Sequence, residues 1–208
     1  MEDGGFVTID RSCETEFTEK KSVFKTSVFT VCSDNDANEL IRSVRNKYPD
    51  ATHHCYGYII RQGGIKRFSD DGEPSGTAGM PILNVIVKSG LCNTLVIVTR
   101  YFGGIKLGAG GLVRAYSTAA SEALLQADKA VYEKGSRGTV EVDYDDFSAV
   151  ERMLLQSGCI IEDKSFASGV TIRLKTREDW DKLSQRVCDM CRGGAICEFA
   201  EHIYIKQQ

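Results

Sequence analysis

A two-domain α+β fold is the architecture that this sequence predicts, and three observations predict it. Its 208 residues exceed one average domain and suit two small ones. Short apolar or alternating runs, bounded by turn residues, are interleaved with amphipathic helical stretches. From residue 137 onward six elements follow in the order β-α-β-β-α-β, the split βαβ of a ferredoxin-like plait, with two helices on one face of a four-stranded antiparallel sheet. Domains are expected at 1–133 and 137–208, with Lys134-Gly135-Ser136 as a short polar linker. An apolar share of 42% and a charged share of 26% suit a folded chain rather than a disordered one.

In order along the chain, residues 15–32 alternate weakly and read as one or two strands. Ser33-Asp34 supplies a helix cap, and Ala37, Leu40, Ile41, Val44 and Tyr48 recur at helical spacing until Pro49. Residues 54–61 are aromatic and β-branched, hence a strand, while Gly, Ser, Asp and Pro mark 62–79 as a long loop. Residues 77–87 predict a helix that tolerates Pro81 in its first turn. The continuous apolar run at 94–99 predicts a strand covered on both faces. A helix follows from about Gly110 to Ala127, its alanines suited to close packing on a sheet. In the second domain strands are expected at 137–144, 159–166, 170–176 and 195–205, with helices at 145–156 and 178–192.

The formal charge of -3 gives no global attraction to nucleic acid or anionic membrane, so any such binding needs a local basic patch. Eight cysteines could suggest a disulfide scaffold. The acidic start MEDGGFVTID lacks an apolar signal core, and no run approaches the ~18 apolar residues of a membrane span. A cytoplasmic protein with reduced thiols and no membrane association is therefore expected. Cys188-Asp-Met-Cys191 has redox or half-zinc spacing with only Cys197 and His202 nearby, and reads as two faces of a C-terminal helix.

Two glycine-rich loops carry the chemistry. The first, RFSDDGEPSGTAG at 67–79, holds Arg67, Asp70, Asp71, Gly72, Glu73, Ser75, Gly76 and Thr77. Its glycines permit unusual backbone angles, and Ser75 or Thr77 can cap the next helix. Asp70, Asp71 and Glu73 could hold a divalent cation, or pair with Arg67, Arg100 or Arg114; the spacing is not that of an EF-hand, and no metal is assigned. The second loop, RYFGGIKLGAGGLVR at 100–114, holds Arg100, Tyr101, Phe102, Gly103, Gly104, Lys106, Gly108, Gly110, Gly111 and Arg114. Glycines running into a helix N-terminus turn backbone N–H groups toward an anion. Residues 82–121 contain no acidic residue against four basic ones, which marks a local positive field. Neither a Walker A loop nor a dinucleotide fingerprint fits the glycine spacing. His53 and His54 precede the central strand and point to opposite faces, so one could join the loops. No residue has a recognisable nucleophile setting, and neither a catalytic group nor a cofactor is assigned.

These residues resemble the YigZ/IMPACT family. Three motifs carry the resemblance in order: PDATHHCY at 49–56, RFSDDGEPSGTAG at 67–79 and VTRYFGGIKLGAGGLVRAY at 98–116. The match spans residues 15–130, and 137–205 resembles the second domain of the bacterial YigZ branch. The resemblance implies a left-handed βαβ first domain like domain 2 of a small-subunit ribosomal protein and domain IV of elongation factor G. The second domain should resemble that factor's domain V. In the IMPACT branch the family restrains a starvation-activated kinase of translation initiation by competing for its ribosome-associated activator. That role goes with a different domain placed before the shared one and is not carried over. Met80 departs from the family's more usual basic or polar residue. The expected function is a non-enzymatic, translation-associated factor binding RNA or the ribosome, with Lys106, Arg100 and Arg114 on phosphates and Tyr101, Phe102 and Tyr116 for stacking. The alternatives are an enzyme for a phosphorylated small molecule and a protein-interaction module with a partner in the translation machinery.

Overall fold

A computed structural model describes residues 4–207. The chain divides into two compact units, Phe6–Ala130 and a second built from 131–207 with Gly4 and Gly5. The described residues form two antiparallel sheets and five α-helices, an α+β protein as expected.

The first unit runs β1 (Phe6–Ile9), β2 (Cys13–Glu19), β3 (Ser22–Thr30), α1 (Asp34–Lys47), β4 (His53–Ile60), β5 (Ile65–Ser69), α2 (Gly79–Lys88), β6 (Thr94–Tyr101) and α3 (Ala109–Gln126). Strands β2-β3-β6-β4-β5 form one antiparallel sheet. The apolar run of β6 lies at its centre and is buried from Thr94 to Arg100. Leu95 and Ile97 point one way, packing with Tyr58 and Ile60 against Ala37, Ile41 and Val44 of α1. Val96 and Val98 point the other way, joining Phe24, Val28, Ile82, Ile86 and Tyr116 beneath α2 and α3. Period-two alternation thus feeds two cores from one strand. Gly57 admits α2 at backbone distance, because a Cβ there would lie 2.9 Å from the Leu83 nitrogen. The start of α1 is the capping box that Ser33 promised: Ser33 Oγ accepts from the Asp36 N–H and Asp36 Oδ2 accepts from the Ser33 N–H, both at 3.1 Å.

The structure corrects the expected loop at 62–79. After one 3₁₀ turn at Gln62–Gly64, Ile65–Ser69 forms β5 and pairs with β4 at the sheet edge. Lys66, Arg67 and Phe68 are all exposed there, so the alternation that would have revealed the strand is missing. Strand β1 was also not anticipated; its Val7 bridges Leu91 and its Ile9 enters the core.

The expected linker is likewise corrected, since 134–136 lies inside the fourteen-residue strand β7 (Lys129–Val142). Ser136 pairs with both Thr176 and His202, so cross-strand bonding replaces the solvation of a linker. Gly135 is there for close packing: a Cβ would lie 2.5 Å from Ile205 Cδ1 and from the Thr176 carbonyl oxygen. The second unit continues with α4 (Tyr144–Gln156), β8 (Ile160–Phe166), β9 (Val170–Thr176), α5 (Trp180–Met190) and β10 (Ile196–Lys206). Its strand order β10-β7-β9-β8 is that of the plait. Val150, Leu154, Leu183 and Val187 of the two helices pack on Val140, Val142, Ile172 and Leu174. Cys188 lies on α5, and Cys191, its C-cap, is buried in this core. No helix among the described residues is long and apolar enough to cross a membrane.

Ser33→Ala removes the α1 cap and is expected to lower stability by about 1 kcal/mol. Urea unfolding should show a lower midpoint with an unchanged slope. An unchanged midpoint would mean that the box contributes nothing.

Candidate functional site

The candidate site is built where β4, β6, the 70–78 loop and α3 meet. Register places His53 opposite Arg100, and Phe24 of β3 on the other side of Arg100. Arg100 follows Val96 and Val98 in alternation, so its side chain enters the core rather than solvent, and the residue is only 5% exposed. Its Nη1 donates to Glu73 Oε1 at 2.5 Å and its Nη2 to Ser22 Oγ at 3.2 Å. The Phe24 and Phe102 rings each lie 5.5 Å from the guanidinium carbon. Glu73 Oε1 also accepts from the hydroxyl of fully buried Tyr116 at 2.8 Å. The Cys55 thiol donates to the Asp70 carbonyl at 3.0 Å and lies 3.4 Å from Tyr116 Oη. His53 completes the group, with Nδ1 2.8 Å from the Asp71 carbonyl and Nε2 3.9 Å from Glu73.

The three carboxylates of the first loop face three different partners. Asp70 accepts from the backbone N–H groups of Gly76, Ala78 and Gly79 at 2.8–3.0 Å. It thereby caps the start of α2, the role expected of Ser75 or Thr77. Ser75 is exposed, and the Thr77 hydroxyl instead donates to the Pro74 carbonyl. Asp71 pairs with Arg45 of α1 at 2.5 Å and accepts from the His54 N–H at 2.6 Å. Gly72 turns between them at φ +88°, its vacant Cβ position 3.3 Å from His53 Nδ1. Among the described residues no three His, Cys, Asp or Glu side chains converge as metal ligands.

These environments set the protonation states. Burial raises the Asp70 carboxyl, but the three N–H donors outweigh it and hold the group below the usual aspartate range. Burial pushes the Cys55 thiol up to about 12, so it is a neutral donor and not a nucleophile. Tyr116 is raised by burial first and by Cys55 next. Burial lowers His54, whose Nδ1 lies 3.1 Å from Thr99 Oγ1.

The second loop is open where the first is closed. Gly103 runs against the β2–β3 turn, since a Cβ there would lie 2.0 Å from Lys21 backbone atoms. Its N–H donates to Ser22 Oγ, the hydroxyl that also receives Arg100. Gly104 and Gly108 then adopt left-handed φ values of +82° and +69°. Gly108 is the N-cap of α3 and supplies no side-chain cap. Gly104, Gly108 and Gly110 have nothing within 4 Å of their Cβ positions, and Ala109 is exposed. Gly111 is half-buried against Leu107. Lys106 and Arg114 are exposed, as are Phe102 and Ile105. Tyr101 is half-buried and donates to Asp50 at 3.1 Å.

Glu73, Arg100, Ser22 and Tyr116 therefore meet in one buried polar knot, with half-buried His53 and Gly103 at its edge and the Asp70 carbonyl joined to it through Cys55. Arg100 is committed to Glu73 rather than free for phosphate, and Tyr116 is a core residue rather than a stacking surface. Arg67 lies on edge strand β5, separated from β6 by β4, and among the described residues its guanidinium bonds only to the Lys66 carbonyl. Arg45, Cys55 and Ser22 were missed as site residues. Register against Arg100 places Ser22, and no local signal in the sequence does so.

Comparison with known proteins gives a consistent result. Residues 20–124 match the Impact N-terminal domain, and residues 140–193 match a Domain of unknown function (DUF1949). "IMPACT family member YvyE" of Bacillus subtilis (strain 168) is 32% identical over 204 residues, covering 97% of this chain and 94% of that protein. "IMPACT family member YigZ" of Escherichia coli (strain K12) is 33% identical over 178 residues, 84% of this chain and 87% of that protein. A solved structure described as a hypothetical protein superposes with a TM-score of 0.65 at 30% identity, covering 95% of this chain and 98% of its own.

Glu73→Gln leaves the Arg100 charge buried without a counter-charge and is expected to cost about 3–5 kcal/mol of stability. Tyr116→Phe removes one donor from Glu73 and should cost about 1–3 kcal/mol. Chemical denaturation measures both, and a neutral Glu73→Gln would contradict the knot. His54 supplies a pH test. Its folded-state pKa lies below the ordinary 6.5, so the unfolded chain binds the proton first. The His54 contribution is complete above that pH and declines as pH falls below it. His54→Gln should flatten the stability profile between about pH 7 and pH 5.5; an equally steep decline in the variant would exclude this source.

Proposed function

The chain belongs to the IMPACT family, and from that membership we propose that it is a non-enzymatic, translation-associated factor working in the cytoplasm. It binds RNA or the ribosome through the 103–111 loop and the start of α3. One observation carries this reading: the uncapped N-terminus of α3 is exposed behind Gly108 and Gly110, with Lys106 and Arg114 beside it. The first N–H groups of a helix have no intrahelical acceptor and carry its positive dipole end, which suits a phosphate. Lys106 and Arg114 add mobile charge, and Phe102, 48% exposed, offers a face to an unstacked base.

Burial of Arg100 changes how the positive field is built without removing it. Arg100 neutralises Glu73, whose carboxylate would otherwise weaken anion binding, and both it and Gly103 hold Ser22. The first loop is thus the support of the second. Binding is favoured over catalysis because the acidic side chains are committed and the nearby thiol is neutral.

The test is binding of ribosomes and of mixed RNA at about 50 and 200 mM salt, with Lys106→Ala and Arg114→Ala beside the parent. Affinity should fall steeply with salt, and each variant should reduce the slope of log K against log salt by about 1. Salt-independent capture of a protein, or variants that bind RNA like the parent, would contradict the proposal.

A further inference from the structure

The second unit contains a cleft of about 620 Å³, within the about 300–1,000 Å³ usual for small-molecule sites. Its floor is β7 at Gly135 and Ser136, and its walls are the N-terminal turn of α5 and strand β10. Three aromatic rings form one corner. Trp180 is 7% exposed, its benzo edge laid over Gly138, where a Cβ would lie 2.2 Å from Cη2. Phe199 meets Trp180 at 6.3 Å and 67°, and His202 meets Phe199 at 4.9 Å and 60°. Phe199 and His202 are exposed, so their ring faces are available.

The polar groups of the cleft define what it can take. Glu178 is paired with Arg186, and Asp179 caps α5 by accepting from the Lys182 N–H. Arg177 is held by Glu133 and by the Lys206 carbonyl. Arg177, Glu178 and Asp179 are therefore already engaged within the chain. Exposed Asp181 stays at the rim as an acceptor. Ser136 is 6% exposed as a residue and lines the cleft. A serine hydroxyl both donates and accepts, so it can meet the polar edge of a ligand.

We propose that this cleft binds one purine or pyrimidine base, stacked on Phe199 and His202, with its polar edge on Ser136 and a sugar hydroxyl toward Asp181. Planar rings favour offset or edge-to-face contact with aromatic side chains, as this corner provides. The base can come from a free nucleoside or nucleotide or from an unstacked position in RNA. This site is independent of the loop at 103–111.

Trp180 is the chain's single tryptophan, so its fluorescence reports on the cleft alone. The full chain is titrated with adenosine, cytidine, AMP and a single-stranded hexanucleotide, with absorbance corrected. Saturable quenching is expected, with half-saturation below about 1 mM. Phe199→Ala and His202→Ala, both at exposed positions, should each weaken it about ten-fold, while Lys106→Ala leaves it unchanged. Tighter quenching by the hexanucleotide assigns the base to RNA, and equal or tighter quenching by the monomers assigns it to a free nucleoside or nucleotide. Quenching by none of the four, or indifference to both aromatic variants, would overturn the proposal.

Discussion

A carboxylate and a guanidinium, Glu73 and Arg100, are taken out of water together at the end of the central strand. Desolvation costs several kcal/mol per ion and is recovered only with good geometry and further hydrogen bonds. That constraint explains why Ser22, Tyr116 and Cys55 stand where they do, each supplying a polar contact from a different element. A one-residue slip of β6 against β3 would turn Arg100 to the other face and leave Glu73 alone. The pair therefore specifies register as well as loop position.

From this knot outward the two glycine loops divide their labour. The first spends its acidic residues on itself and its neighbours: Asp70 on the start of α2, Asp71 on α1 and β4, Glu73 on Arg100. The second meets the knot at its base, where Arg100 pairs with Glu73, Phe102 lies over Arg100 and Gly103 joins Ser22, while Gly104, Ile105, Lys106, Gly108, Ala109 and Gly110 face solvent. An acidic cluster can thus sit near an anion-facing surface without cancelling it, because each carboxylate already has a donor.

Much of this was legible in the sequence, for identifiable reasons. The apolar run of β6, the Ser33 cap and the six-element plait are strong local signals, and the structure has all three. Edge strand β5 was hidden because Lys66, Arg67 and Phe68 all face solvent. Residues 134–136 look like a linker because they are small and polar, whereas their composition answers to Ile205 and Thr176 across the sheet. In the site, the loops and their glycines were visible, but the fate of Arg100 was not. An arginine beside glycines reads as a surface donor until strand alternation and a partner twenty-seven positions away place it inside. Tyr116 was misread for a related reason, since helical spacing alone does not say which residue lies under a loop.

The central claim is that the backbone N–H groups at 103–111, supported by the Glu73–Arg100 knot, are the donors that meet phosphate. Amide hydrogen exchange on the full chain, with and without ribosomes, reads those N–H groups directly. The account predicts slower exchange across 103–111 on binding, with the amides of β6 already protected in both states. Unchanged exchange in that loop, with ribosome-dependent protection confined to other segments, would contradict it.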